Sequence, residues 1–328
     1  MTRPRLLVLG DLIVDAYQPC SKTRRSDDGG YPTTEVGNVD PRRVYGGAAN
    51  VALNAVAAGA DVVFVSSAEL PHESAEDRQF VAALRRRRGM ACIEPTGTGV
   101  APLVKTRYVD HVNGAVLFCT MPPRAGFYAR TREVVRSVVL GMSVENNPPH
   151  QPTFDAVLIA DYGAGIVDEH TVATLRRCYP GAKIFFDPHL TTDPVAWAGV
   201  DVVKINAAEA EEAQARTRRP LLAALRPVGG VLVKTAGEAP VEVYTEQGRP
   251  YRVTPPSLPR IVDSCGAGDT FFAFMAARIV MGDSLGYAVE YASCAAWLTL
   301  SHRGCFVPSA EAVAEAHRQL PSAVESAP

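Results

Sequence analysis

The chain has 328 residues, 47% of them hydrophobic, and its 33 Lys and Arg nearly balance 35 Asp and Glu, for a formal charge of −2 at pH 7. That balance argues against a nucleic-acid binder, whose affinity rests on neutralising many phosphates, and no apolar run approaches the roughly 20 residues needed to cross a bilayer. The length suits one α/β domain with a lid, and Met-Thr-Arg-Pro-Arg leads into a core strand rather than a signal sequence, so a soluble cytoplasmic protein is expected.

From the N-terminus, Arg5 to Gly10 reads as a buried strand that ends in glycine and presents Asp11 and Asp15 just beyond it, where acids could hold sugar hydroxyls. Asp11 could equally bind only backbone amides, and Asp15 could be a cap. Tyr45-Gly46-Gly47 opens a small-residue helix at about 48 to 58 that closes at Gly59. Asn50, in its first turn, has the donor and acceptor a polyol needs, although a helix-start asparagine is often only structural. A strand at 61 to 66 leads to a helix at 75 to 88, whose closing Arg85 to Arg88 run reads as a solvated helix end.

Two stretches break the alternation of strands and helices. Residues 20 to 45 are polar and rich in Gly, Arg and Asp; residues 101 to 121 alternate on either side of Asn113-Gly114, a hairpin-turn signal. Together they are expected to form a small β lid over the site. Lys105 and Arg107 share one strand face there, reaching toward a ligand or simply solvated.

The alternation resumes with helices at about 126 to 141, 169 to 178 and 207 to 215, and strands at 155 to 160, 183 to 187, 201 to 205 and 230 to 234. This pattern implies a mainly parallel central sheet with helices on both faces. Asp161 and Asp187 fall at strand C-terminal ends, where α/β ligands gather, or they cap the turns that follow. Asn206 and Glu209 have an Asn-x-x-Glu spacing that suits water-mediated binding of Mg²⁺ near phosphates. Residues 143 to 152 read as a surface connection.

The most informative stretch is Asp263-Ser-Cys-Gly266-Ala267-Gly268-Asp269-Thr, which runs into an apolar helix at 268 to 281, with further helices at 285 to 301 and 309 to 318. Gly266, Ala267 and Gly268 carry almost no side chain, so their amides can approach an anion at the helix N-terminus. A carboxylate at Asp269 is repelled by a phosphate there unless it takes a proton from an attacking hydroxyl. On these four residues alone, a simple helix entry with Asp269 as cap is the favoured reading. The seven cysteines include no Cys-x-x-Cys and fit reduced thiols, with Cys265 read as a packing residue.

In this order, Gly46-Gly47 with Asn50, then Asn206 with Glu209, then the 263 to 270 segment, the chain resembles the ribokinase (PfkB-type) sugar kinases from Leu6 to about Pro308. The resemblance implies a ribokinase-like α/β fold with a β lid and phosphoryl transfer from ATP to a sugar hydroxyl. Asp269 would be the base and the backbone at 266 to 268 the anion hole. Thr235 and Gly237 would lie along the nucleotide, Ser293 near the adenine, and the lids would pair in a homodimer.

Gly10-Asp11, Val104-Lys105-Thr106-Arg107 and Ala160-Asp161-Tyr162-Gly163 are most similar to the heptose-7-phosphate kinase branch, including the kinase half of bifunctional ADP-heptose synthases. That implies a heptose or heptose 7-phosphate as substrate. The branch's Lys-Gly after Asp-Tyr-Gly is Ala164-Gly165 here, and its Asp-Pro-Lys is Asp187-Pro188-His189, so two cations are lost. A nucleoside kinase, another small-sugar kinase and a non-catalytic sugar- or nucleotide-binding regulator remain alternatives. Residues 1 to 318 are expected to form a single kinase domain and 319 to 328 a loose tail.

Overall fold

The computed structural model describes residues 2–21, 24–27, 29–30, 32–70, 78, 81–82, 88–144, 153–217, 219–225, 230–246, 248, 250–257, 261–319 and 324–326. Among them a ten-stranded sheet runs in the order Val324–Ser326, Tyr251–Val253, Ala239–Thr245, Val231–Ala236, Val202–Asn206, Lys183–Asp187, Ala156–Ala160, Arg5–Gly10, Asp61–Val65, Met90–Ile93. The strands from Val231–Ala236 to Met90–Ile93 are parallel, and the remaining three add antiparallel at one edge. Central strands such as Ala156–Ala160 are buried at every position, which is why they are unbroken apolar runs without alternation.

Helices cover both faces. Gly47–Ala57, Ala267–Val280 and Leu285–Leu300 pack together on one of them. The alanine-rich helix Gly47–Ala57 is buried along most of its length, and its small side chains let it lie close to the first turns of Ala267–Val280. The expected strands and helices are found with ends shifted by at most three residues, with two exceptions. The helix expected at 75 to 88 and the connection at 143 to 152 fall largely outside the described residues.

The lid is larger than its sequence suggests. Its sheet has the order Arg42–Gly46, Leu12–Cys20, Leu103–Asp110, Val116–Thr120, so the segment just after the first core strand is lid, not loop. Gly10 makes this turn possible: at φ +145 a Cβ would lie 1.9 Å from the Ala160 carbonyl oxygen. The polar Asp15, Gln18 and Pro19 hid Leu12–Cys20 as a strand. Within the stretch read as a loose tail, Val324–Ser326 pairs with Tyr251–Val253.

Candidate active site

Parallel strands bring Gly10, Ala160, Asp187, Asn206 and Ala236 to one edge of the sheet, the edge where open α/β sheets collect ligands. A cleft of about 470 Å³ lies between this edge and the lid. Ile13, Asp15, Lys105 and Arg107 line it from the lid side. Asp161, Asp187, Asn206 and Glu209 line it from the sheet, and Gly266, Gly268 and Asp269 from the helix start.

Gly266 is the N-cap of Ala267–Val280 at φ 80, ψ −3. A Cβ there would meet Asn50 Nδ2 at 2.7 Å and Cys305 Cα at 3.1 Å, so both conformation and space require glycine. The first amides of a helix have no intrahelical acceptor. Ala267 N–H makes only a long bond, 3.4 Å, to Ser264 O. These amides sit at the positive end of the helix and suit an anion.

Asp269 follows at once and is 5% exposed. The Tyr162 hydroxyl donates to Oδ1, and Asn50 Nδ2 donates to Oδ2 at 2.8 Å. Asn54 Nδ2 donates in turn to Asn50 Oδ1 at 3.1 Å, which leaves the Asn50 amide nitrogen for the carboxylate. Burial pushes Asp269 up to about 6, against the pull of Tyr162, Asn50 and the Lys204 charge, while the Asp15 charge adds to the rise. Such a group is ionised at neutral pH and still basic enough to take a proton.

Lys204 brings a cation beside the helix start. Its Nζ would be 3.2 Å from a Cβ on Gly268, and it bonds Asp187 Oδ1 at 3.1 Å and Oδ2 at 2.9 Å. Desolvation works against its charge, but the carboxylates of Asp187, Glu209 and Asp269 outweigh it and hold Lys204 protonated, above the ordinary lysine value. Burial pushes Asp187 upward and Lys204 pulls it back.

In the lid, residues paired across parallel strands share a face, so Asp15 stands beside Lys105 and Tyr17 beside Arg107. Arg107 Nη2 bonds Asp15 Oδ1 at 2.9 Å and also reaches Cys265 Sγ at 3.2 Å. A Cβ on Gly46 would lie 2.4 Å from Asp15 Oδ2, so this glycine makes room for the acid. Gly47 lines the cleft. Arg124 lines it too, and burial and the Arg124 charge hold His189 below the ordinary imidazole value.

Three expected residues are placed away from the open cleft. Asp11 is fully buried and accepts amides from Tyr162 at 2.8 Å, Ala164 at 2.9 Å and Ile166 at 3.2 Å, so it shapes the 162 to 166 loop instead of facing a ligand. Asn50 is also fully buried and is bonded to Asp269 and Asn54. Ser293 is buried within its helix, donates to Val289 O at 2.8 Å and does not line the cleft.

Asn206 and Glu209 line the cleft, but their spacing also makes a capping box. Asn206 Oδ1 accepts from Glu209 N at 2.9 Å, and Glu209 Oε2 accepts from Asn206 N at 2.7 Å. The second Glu209 oxygen takes no part in this box. Asp161 lines the cleft while accepting Gly163 N at 2.8 Å and the Thr192 hydroxyl. Thr235 pairs in register with Asn206, and Gly237, at φ 62 with open space around it, turns the chain beyond the same edge.

Tyr162 and Lys204 were not singled out from sequence. A lone lysine inside an apolar strand is a usable signal, because a buried cation has to be paired. Tyr162 offers none, since its partner lies 107 residues away.

Comparison with known proteins bears on the family resemblance and the fold. Residues 167–312 match the profile of the pfkB family carbohydrate kinases. The bifunctional protein HldE of Azorhizobium caulinodans is 28% identical over 312 residues, covering 92% of this chain, which spans 62% of that relative's length. Among solved structures, a carbohydrate kinase from Agrobacterium tumefaciens superposes with a TM-score of 0.67 at 18% identity, covering 98% of this chain and 100% of that one. Arabidopsis thaliana ribokinase complexed with ribose and ATP gives a TM-score of 0.66 at 17% identity, covering 97% and 99%. At these identities the structural likeness shows the fold, which is ribokinase-like.

Proposed function

We propose, for a chain whose residues 167–312 match the pfkB family carbohydrate kinases, ATP-dependent transfer of the γ-phosphoryl group to a sugar hydroxyl in this cleft, with heptose 7-phosphate as the substrate and its 1-phosphate ester as the product. The observation that carries the reading is Asp269: a buried carboxylate, held at both oxygens and raised to about 6, beside the first amides of a helix.

Asp269 takes the proton of the attacking hydroxyl. The amides at 266 to 268 and the Lys204 ammonium offset the charge on the group in flight, and they are in place beforehand, so no reorganisation is needed. The nucleotide lies past Asn206 toward Thr235 and Gly237, and the sugar lies under the lid between Asp15, Lys105 and Arg107.

Asn206, Glu209 and Asp187 offer oxygens at the nucleotide end, which suits a hard cation that keeps its waters. Mg²⁺ would be held there by Glu209 and Asn206 through water, and it would supply neutralisation of the phosphate oxygens. Lys204 already occupies Asp187, which leaves the Glu209 oxygen outside the capping box as the protein's main contribution.

The cations lost at Ala164 and His189 bear on the substrate. Lys105, Arg107 and Arg124 line the cleft and offer positive charge for a sugar phosphate. Lid pairing between two copies fits the outer lid face, where Val104, Val116 and Phe118 are 39%, 45% and 43% exposed. No helix among the described residues is long and apolar enough to cross a membrane.

The deciding experiment is ADP release with Mg²⁺, run in parallel on heptose 7-phosphate, unphosphorylated heptose, common hexoses and pentoses, and nucleosides. Turnover confined to heptose 7-phosphate is expected. Turnover on a neutral sugar or a nucleoside would overturn the substrate, and binding without turnover would favour a regulator.

A further inference from the structure

Asp15, Cys265 and Cys305 come from three distant parts of the chain, and their ligand atoms lie within 4.8 Å of one another. The two Sγ atoms are 3.3 Å apart, and Cys305 Sγ is 3.7 Å from Asp15 Oδ2. Around a tetrahedral Zn²⁺ with Zn–S of about 2.3 Å and Zn–O of about 2.0 Å, neighbouring ligand atoms stand roughly 3.5 to 3.8 Å apart. The 3.3 and 3.7 Å separations lie within or just below this range and the third is within 4.8 Å, so small side-chain shifts bring the three groups to the corners of such a site. Among the described residues no other trio of His, Cys, Asp or Glu meets this criterion.

We propose that Asp15, Cys265 and Cys305 form a three-ligand site for a thiophilic divalent cation such as Zn²⁺, set into the wall of the cleft beneath the lid. Binding releases two thiol protons to solvent and leaves two thiolates and one carboxylate on the ion. That cluster carries one net negative charge, and Arg107, bonded to both Asp15 and Cys265, supplies the matching positive one. Two sulfurs select for a soft or borderline ion over Mg²⁺. All three residues line the cleft, so water or a ligand hydroxyl has access to the fourth position, as in zinc sites that stay open.

A cation held here draws Asp15 away from a sugar, so the ion inhibits in competition with the sugar and not with ATP. This consequence rests on the kinase reading, whereas binding of the ion does not.

The test uses the full chain, reduced and freed of metal with a chelator, titrated with Co²⁺. One equivalent is expected to produce the near-ultraviolet thiolate-to-cobalt band, which Zn²⁺ then abolishes. The band should vanish in Cys305→Ser and in Cys265→Ser, require about tenfold more Co²⁺ or above in Asp15→Asn, and persist in Cys119→Ser, which removes an exposed thiol elsewhere. A second measurement is independent of any variant's folding: Zn²⁺ should protect Cys265 and Cys305 of the unmodified protein from iodoacetamide and leave Cys119 reactive. A band that survives Cys305→Ser, or alkylation of Cys265 that Zn²⁺ does not slow, overturns the site. Ion binding by a protein that phosphorylates no sugar upholds it and overturns the kinase reading instead.

Discussion

Asn50 and Asp269 are separated by 219 residues of chain, and the amide nitrogen of one donates to the carboxylate of the other across 2.8 Å. The bond ties the helix after the double glycine to the helix that carries Asp269. In the proposed mechanism this gives Asn50 the role of positioning the base. Asn50→Ala is therefore expected to lower kcat by roughly tenfold or more, as loss of a charge-assisted bond worth about 1.5–3 kcal/mol implies, with KM for the sugar little changed. A KM that rises while kcat holds would place Asn50 on the substrate after all.

Asp269→Asn keeps the shape of the side chain and removes the base. Turnover should fall by about 10²–10⁴-fold with ATP affinity preserved. Because burial raises the folded pKa from 3.8 to about 6, the aspartate's contribution to stability is whole below pH 3.8 and is lost as pH rises through about 6. At neutral pH the ionised group costs on the order of 3 kcal/mol, an upper figure. The Asn variant should thus melt at a higher temperature than the parent at pH 7 and show no such gain at pH 3.5; a lower Tm at pH 7 would contradict this account.

The Tyr162 hydroxyl lowers the Asp269 pKa by bonding the ionised form. In Tyr162→Phe that support is gone, and the acid limb of kcat/KM should move to higher pH from its expected position near 6. Activity at pH 8.5 should stay within a few-fold of the parent. An acid limb that stays in place would remove Asp269, or its contact with Tyr162, from the mechanism.

Lys204 is doubly committed, to Asp187 and to the helix start. Lys204→Met strands a buried carboxylate, a loss of about 3–5 kcal/mol in stability. Adding Asp187→Asn removes the stranded charge and should restore most of the Tm. It should not restore kcat, since the cation beside Gly268 is still missing. Recovery of both together in the double variant would make Lys204 purely structural.

For the cleft cations, Lys105→Ala combined with Arg124→Ala should raise KM for heptose 7-phosphate by tenfold or more and leave KM for ATP unchanged. An equal rise in both KM values would show that the two cations do not hold the sugar's phosphate.

Much of this was legible in the sequence because it is local. The runs at 5 to 10, 156 to 160 and 183 to 187 announce buried parallel strands, since residues covered on both faces have no reason to alternate. The small residues of Gly266-Ala267-Gly268 announce a helix start open to an anion, because what matters there is the absence of side chains in consecutive positions. Asn206 and Glu209 were legible as a pair, and their three-residue spacing serves a capping box as readily as it serves a metal.

The partners of the charges were decided only by the tertiary structure. Whether Asp11 meets a ligand or three backbone amides depends on a loop some 150 residues later folding around it. Whether Asp15 belongs to a loop or to the lid depends on Leu12–Cys20 finding Leu103–Asp110 as its neighbour. Spacing along a chain fixes which side chains share a turn or a strand face. Desolvation and pairing across the fold fix which of them stay charged, and those arise only when Asn50, Tyr162, Lys204 and Asp269 are brought to one place from four separate elements or loops.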